Sequence, residues 1–451
     1  MVTAAEEAQR TTAGLECLEP TLNGARIELD YVGTGHDGTL TRFTETVELP
    51  GSLEHVDDAV VRPVLRLLSL AASLSYFKAF APGTISVPGG LTTVERTFLR
   101  EVTRHGLGEF AYVNDLPAVF ETPIDAPAAA PVAQPWVDEA TPRKVLVPVG
   151  GGKDSVVSIE ALREAGYEVG LFSVNSYAPI EATARVAQLP LHTARRRLDP
   201  ELFRLNAEGA PNGHVPVTAV NSLVGLLTAL ALGFDTVAFS NEASASFGNI
   251  DWHGVEVNHQ WSKGLEFERL LRGSLPAGAP RYVSLLRPVT ELRIARRFAT
   301  RTAYHQVFTS CNRAFKLTEA DRTSWCGECP KCRFVFLCLS PFMPRADLEA
   351  VFGGRDLFAE ALDHADRYAG FLELLGKEGL VKPLECVGEP DECRVALSLV
   401  TEKPDWAGHP FLAEPEVVAL HAAPGDAEAV LAFREGEHAL TPDLEDVARA
   451  V

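Results

Sequence analysis

The chain has 451 residues, too long for one hydrophobic core, so two or three domains are expected. A hydrophobic content of 46% supports folded cores, and a formal net charge of -20 without a long basic run argues against duplex nucleic acid or an anionic membrane as partner. The first residues lack the basic and apolar regions of a signal peptide, and the longest apolar run, 223–239, is broken by Gly225, Gly233 and Asp235, so a cytoplasmic protein is expected.

Residues 27–32 and 43–49 alternate apolar and polar side chains around a Gly-rich connection, the pattern of a β-hairpin. Helical periodicity follows over 56–82 and 94–106, which together predicts a small amino-terminal α+β domain over 1–121. A Pro/Ala stretch, 122–142, reads as a semi-rigid linker. From 143, strands at 145–149, 169–174, 190–193 and 236–240 alternate with helices at 155–165, 180–187 and 218–232. That alternation predicts an α/β domain over 143–344, a parallel sheet with helices on both faces. Such sheets bind ligands beyond the carboxyl ends of their strands, here at 150–155, at Asn175 and at 240–242. Residues 345–451 read as a helical and mixed cap, with strands at 395–400 and 430–433.

The first of those strand ends carries Gly150-Gly151-Gly152-Lys153-Asp154-Ser155. Three glycines let the backbone approach an anion, and the following helix aims the positive end of its dipole at the same point. A Walker A loop is excluded because Asp154 follows Lys153 and Val147 stands where the motif needs glycine. A Rossmann turn is excluded because Ser155 takes the place of its third glycine. The stretch resembles the Ser-Gly-Gly-x-Asp-Ser loop of the PP-loop ATP pyrophosphatases, with Gly150 in place of the first serine. That resemblance implies a HUP-like fold and ATP held by Gly150, Gly151, Gly152, Lys153, Asp154, Ser155 and Asn175, with magnesium near Asp154.

Downstream, 241–263 reads as a structureless segment rich in Asn, His, Trp and Glu, which suits a functional loop, with a solvated surface loop as the alternative. The basic stretch 292–301 is an anion-binding face or a solvated charged one. Cys311, Cys326, Cys329 and Cys332, at spacing C-x14-C-x2-C-x2-C, suit zinc, with an iron–sulfur cluster as the alternative. Four thiolates close the coordination shell, so a structural ion is expected. Cys338, on an apolar run, reads as a core residue.

The glycine loop followed by a Cys-Gly-x-Cys-x-x-Cys resembles the 7-cyano-7-deazaguanine synthases over about 143–340. A fuller match adds Ser240-Asn241-Glu242-Ala243-Ser244-Ala245, Val257-Asn258-His259-Gln260-Trp261-Ser262-Lys263 and Trp325-Cys326-Gly327-Glu328-Cys329-Pro330-Lys331-Cys332. Together these motifs resemble the MurL epimerase family. The resemblance implies ATP- and magnesium-dependent inversion of the terminal L-glutamate of UDP-N-acetylmuramoyl-L-alanyl-L-glutamate, with AMP and pyrophosphate released.

That resemblance assigns no base, so residue chemistry must. A carboxylate resists loss of its α-proton because a second charge would build on the same group; adenylation removes the first charge. Candidate bases are His214, Glu242 and His259, although each alone could be structural, since a lone His is more often a hydrogen-bonded polar residue than a catalyst. Asn241, Asn258 and Lys263 are the substrate-binding candidates. Two other classes share these features: a ligase in which an amine captures the adenylate, and a nucleotide-binding module without chemistry.

Overall fold

The structure is a computed structural model that describes residues 13–81, 83–130, 143–315 and 324–451. The end of the expected linker, 131–142, lies outside the described residues. The chain divides into two compact units, each assembled from separate stretches: 1–146, 192–237 and 250–282 in the first, and 147–191, 238–249 and 283–451 in the second.

The first unit is built on the hairpin of Arg26–Thr34 and Leu40–Glu48, antiparallel from Arg26 opposite Glu48 to Thr34 opposite Leu40. Alternation puts Ile27, Leu29, Tyr31, Phe43 and Val47 in the core, because successive side chains leave a strand on opposite faces. Gly14–Cys17 pairs antiparallel on one side, followed in parallel by Thr84–Ser86 and Ile124–Asp125. On the other side Leu40–Glu48 pairs antiparallel with Leu191–Arg197, in the contact of Thr46 with Arg197. There the buried carboxylate of Glu45 accepts two bonds from Arg196, at 2.6 and 3.2 Å.

The helix Asp58–Phe77 starts at Asp57, whose side chain accepts the Ala59 N–H at 2.9 Å. By length and composition it could cross a membrane, but 78% of its apolar window is buried inside the protein, the pattern of a core helix. Helix Thr93–Arg104 begins with a reciprocal capping box between Thr92 and Glu95. The opening residues of Lys144–Pro148 and Thr236–Phe239 pair in parallel, Val145 opposite Thr236.

In the second unit, Val149 N–H bonds Phe172 O and Leu285 N–H bonds Phe239 O, both at 2.8 Å, aligning the strand ends where the glycine loop begins. Pro148 closes its strand, so its missing N–H interrupts no ladder. The helices Lys153–Glu164 and Ala178–Ala187 follow their strands, so the chain is of mixed α/β class. Helix Pro330–Leu339 is buried over most of its length and packs against Glu291–Ala299, Ala365–Leu374 and Pro390–Thr401.

Three expectations need correction. Residues 395–400 are not a strand but part of helix Pro390–Thr401, opened by a proline and two acidic residues. Five of these six residues are apolar, with Ser398 among them, which gives no clear period, and the N-terminal signals decide for helix. Residues 430–433 likewise form no strand; helix Asp426–Leu431 ends within them. The stretch 250–257 is not structureless: Ile250–Trp252 and Val255–Val257 form a hairpin around His253 and Gly254, at φ +52° and +71°. Positive φ at both turn residues is the geometry of a two-residue hairpin turn.

Candidate functional site

In the second unit the glycine turn is held by sterics. Gly151 has φ +82°, and a Cβ there would meet Pro179 Cβ at 2.9 Å. Its carbonyl accepts the Thr309 N–H at 2.9 Å, whereas a Cβ on Gly150 would meet nothing within 4 Å. Gly152 is the N-cap of Lys153–Glu164 and offers no side-chain acceptor to the helix's first amides. The donor set and the open side at Gly150 therefore fit an anionic group such as a nucleotide phosphate.

Lys153 is 2% exposed and donates to Asp154 Oδ1 at 2.5 Å and to Glu291 Oε2. Burial opposes its charge, but Asp154 and Glu291 outweigh that and hold the ammonium protonated. Glu291 is pushed well up, first by burial and then by the charge of Asp154. Ser155 Oγ donates to the Gly152 carbonyl at 3.1 Å. Asn175, at φ +56°, ends the strand Glu168–Val174 in the left-handed region that asparagine tolerates.

Glu242 is 5% exposed; its Oε1 accepts from Ser244 Oγ at 3.0 Å, and its carbonyl accepts from Arg287 Nη1 at 2.5 Å. Asn241 donates to Ser284 Oγ at 3.0 Å. The basic stretch does not present a row of available cations: Arg297 and Arg301 pair with Glu164, and Arg293 donates to the carbonyls of Leu431 and Arg449.

The first unit gathers His214, His259 and Glu109. One ligand-type atom from each lies within 4.8 Å of the others, and the two imidazole centroids are 4.5 Å apart. His259 Nδ1–H donates to Glu109 Oε2. His214 is pushed down to about 4, by burial first and then by His259, against the raising effect of Glu109, with Lys263 and Lys78 adding to the fall. Asn258 closes a local turn, its Oδ1 accepting the Gln260 N–H at 2.7 Å. Lys263 ends the short helix Trp261–Lys263. Of the base candidates, two are thus brought together, and Glu242 belongs to the other unit.

The four cysteines of the second unit converge, their sulfurs all within 4.8 Å of one another. Cys326 to Cys332 is 3.7 Å and Cys329 to Cys332 is 3.4 Å, close to the edge of about 3.8 Å that a zinc–sulfur bond near 2.3 Å gives a tetrahedron. Cys326 accepts the N–H of Glu328 at 3.4 Å and of Cys329 at 3.3 Å, the turn that an x2 spacing allows. Hydrogen bonds from Cys311, Cys329 and Cys332 hold Cys326 down, while Cys311, Cys326 and Cys329 push Cys332 up. Four thiols this close cannot all ionise without a cation, and the cluster could hold a zinc ion.

Sequence reasoning missed Glu291, Glu109 and Arg287. Glu291 and Glu109 sit in helical patterns indistinguishable from charged surface positions, and no local signal marks them.

The MurL N-terminal domain matches residues 18–285 and the MurL C-terminal domain matches 307–429. A protein of Micromonospora sp. named UDP-N-acetyl-alpha-D-muramoyl-L-alanyl-L-glutamate epimerase is 46% identical over 409 residues, 88% of this chain and 89% of its own. Proteins of the same name from Salinispora tropica and Xanthomonas oryzae pv. oryzae are 46% and 42% identical, over 92% and 90% of this chain and 90% and 91% of theirs.

Proposed function

The chain belongs to the MurL family, and on that premise we propose that it epimerises the terminal L-glutamate of UDP-N-acetylmuramoyl-L-alanyl-L-glutamate in peptidoglycan precursor synthesis. The observation that carries this reading is identity of 42–46% over about nine-tenths of both chains with proteins named for that epimerisation. Substrate and ATP are both nucleotide compounds of the cytoplasm, where the reaction would run.

ATP supplies the activation. The glutamate carboxylate attacks the α-phosphorus, pyrophosphate leaves, and the acyl adenylate no longer carries the charge that resisted α-deprotonation. A base then takes the α-proton, the C–H electron pair passing into the enolate. Reprotonation on the opposite face and hydrolysis of the anhydride release AMP and the D-glutamyl product. The amides at the start of Lys153–Glu164 suit the phosphates, and Asp154, with its side chain 29% exposed, would hold magnesium. The open side of Gly150 supports a PP-loop role for this turn. Asn175, Asn241, Asn258 and Lys263 remain the proposed nucleotide and substrate contacts, and the four cysteines a structural zinc site.

Incubation with the UDP-linked dipeptide and ATP tests this, with chiral analysis of the glutamate after hydrolysis. D-Glutamate with AMP and pyrophosphate is expected. ADP and phosphate as products would overturn the adenylate route; no D-glutamate would overturn the epimerase reading.

A further inference from the structure

The glycine turn and the four-cysteine turn both belong to the second unit, and Thr309 joins them. Thr309 is buried and donates its N–H to the Gly151 carbonyl at 2.9 Å. Its hydroxyl is committed in the other direction: Oγ1 accepts the Cys311 N–H at 3.1 Å and donates to the Ser324 carbonyl. Cys311 Sγ accepts the Cys326 N–H at 3.4 Å, so hydrogen bonds run from the cysteine cluster through Thr309 to the glycine turn. The next side chain follows the same path, since a Cβ on Gly152 would lie 3.1 Å from Ser310 Oγ. A second brace comes from Phe315, which meets Tyr177 edge-on with centroids 5.6 Å apart. Tyr177 is the N-cap of Ala178–Ala187, and the Pro179 of that helix is what a Cβ on Gly151 would strike.

The bond to Gly151 decides which way the turn faces. In a trans peptide C=O and N–H point in opposite directions, so a Gly151 carbonyl drawn to Thr309 sets the Gly152 N–H on the other side. The Gly152 carbonyl is likewise taken, by Ser155 Oγ at 3.1 Å. The amides of Gly150, Gly151 and Gly152 have no acceptor among the described residues. With two carbonyls committed to the protein and three amides not, the turn presents donors, which is what an anion requires. Glycine on both sides of the Gly151–Gly152 peptide gives its rotation little steric resistance. Without the Thr309 bond that carbonyl can swing toward an anion and repel it.

Resting on the nucleotide reading of this turn given above, we propose that Thr309 is a positioning residue through which the four-cysteine turn fixes the orientation of the Gly151–Gly152 peptide, and with it the affinity for the phosphates of ATP. Thr309 acts through Gly151 and touches no reacting atom. It stands two residues before Cys311, so closing the four thiolates around an ion fixes where the backbone of 309–311 runs. A closed four-thiolate shell supplies no chemistry to the reaction, and its influence on the nucleotide passes through this backbone. A valine at 309 keeps the N–H for Gly151 but releases the segment from Cys311 and Ser324, whereas a serine keeps both side-chain bonds. The hydroxyl, and not the shape of the side chain, therefore carries the coupling.

The experiment measures ATP binding to the full-length chain by calorimetry, with magnesium and without the dipeptide, alongside metal content. Thr309→Val should raise Kd for ATP about tenfold, the effect of about one hydrogen bond, while the cysteine-bound ion is retained. Thr309→Ser should bind ATP within about twofold of wild type. Stripping the cysteine-bound ion with a chelator, then dialysing into magnesium, should weaken ATP binding about tenfold in wild type and less than about twofold in Thr309→Val, where the path is already cut. Unchanged ATP affinity in Thr309→Val would overturn the proposal. So would Thr309→Ser binding as weakly as Thr309→Val, or stripping that weakens both proteins equally, since either marks a general loosening of the fold. Protein that purifies without an ion at the cysteines and still binds ATP as tightly would break the link to the cysteine turn. Wild-type protein that binds no ATP would remove the nucleotide reading and this inference with it, whereas ATP binding indifferent to position 309 would sink the inference alone.

Discussion

Lys153 and Glu291 stand 138 residues apart, and the buried ammonium of one is hydrogen-bonded to the buried carboxylate of the other. Removing one member of such a pair leaves the other desolvated without its full complement of partners. Glu291→Leu should lower the free energy of unfolding by about 2–3 kcal/mol, reduced from the full cost because Asp154 still holds Lys153. The double variant Lys153→Met with Glu291→Leu should recover part of that loss in urea denaturation. If the double variant is destabilised by the sum of the two singles, the residues do not stabilise each other.

The glycine turn separates backbone strain from ligand contact. Gly151→Ala meets both a positive φ and Pro179, and should cost about 1–3 kcal/mol of stability as well as substrate-dependent pyrophosphate release. Gly150→Ala meets nothing, so its melting temperature should stay within about 1 °C of wild type while KM for ATP rises about tenfold. An unchanged KM for ATP in Gly150→Ala takes that residue out of nucleotide contact.

Metal analysis of purified protein should find one zinc per chain at Cys311, Cys326, Cys329 and Cys332. Because the metal ties residue 311 to the 326–332 turn, Cys329→Ser or chelation should lower the melting temperature by more than about 5 °C. Protein that purifies with neither zinc nor iron, or a Cys329→Ser variant that melts with wild type, contradicts a structural site.

Glu392 is wholly buried, its Oε2 accepting the Leu292 N–H at 2.9 Å while Oε1 has no hydrogen-bond partner among the described residues. Burial, opposed by the Leu292 bond and reinforced by Glu389, pushes it from 4.5 up to about 7. The unfolded chain releases this proton first as pH rises, so the contribution to stability is present below 4.5 and is lost as pH climbs through about 7. Glu392→Gln should match wild type at pH 4 and exceed it at pH 8, by at most about 3.5 kcal/mol at about 1.4 per pKa unit. Parallel pH–stability curves for the two proteins would show that Glu392 is ionised at no cost.

What the sequence determined by itself is what contiguous residues encode. Alternation at 27–32 and 43–49 specified a hairpin, because side chains leave a strand with period two. Gly150 to Ser155 after an apolar strand marked the start of a helix, and the x2 spacings marked a cysteine turn. Tertiary structure decided the rest. Glu109 reaches His259 across 150 residues, and neither a six-residue helix nor its one carboxylate carries a local sign of that partner. The arginines of 292–301 suited an anion-binding face or a solvated one; the fold brought Glu164 against Arg297 and Arg301 and the carbonyls of Leu431 and Arg449 against Arg293. Residues 395–400 read as a strand because five of the six are apolar, which reports burial without direction; a helix satisfies its backbone internally, and the helices packed around it left no strand to pair with. Periodicity records which side of an element faces the core, while a site depends on which distant side chains the packing sets opposite one another.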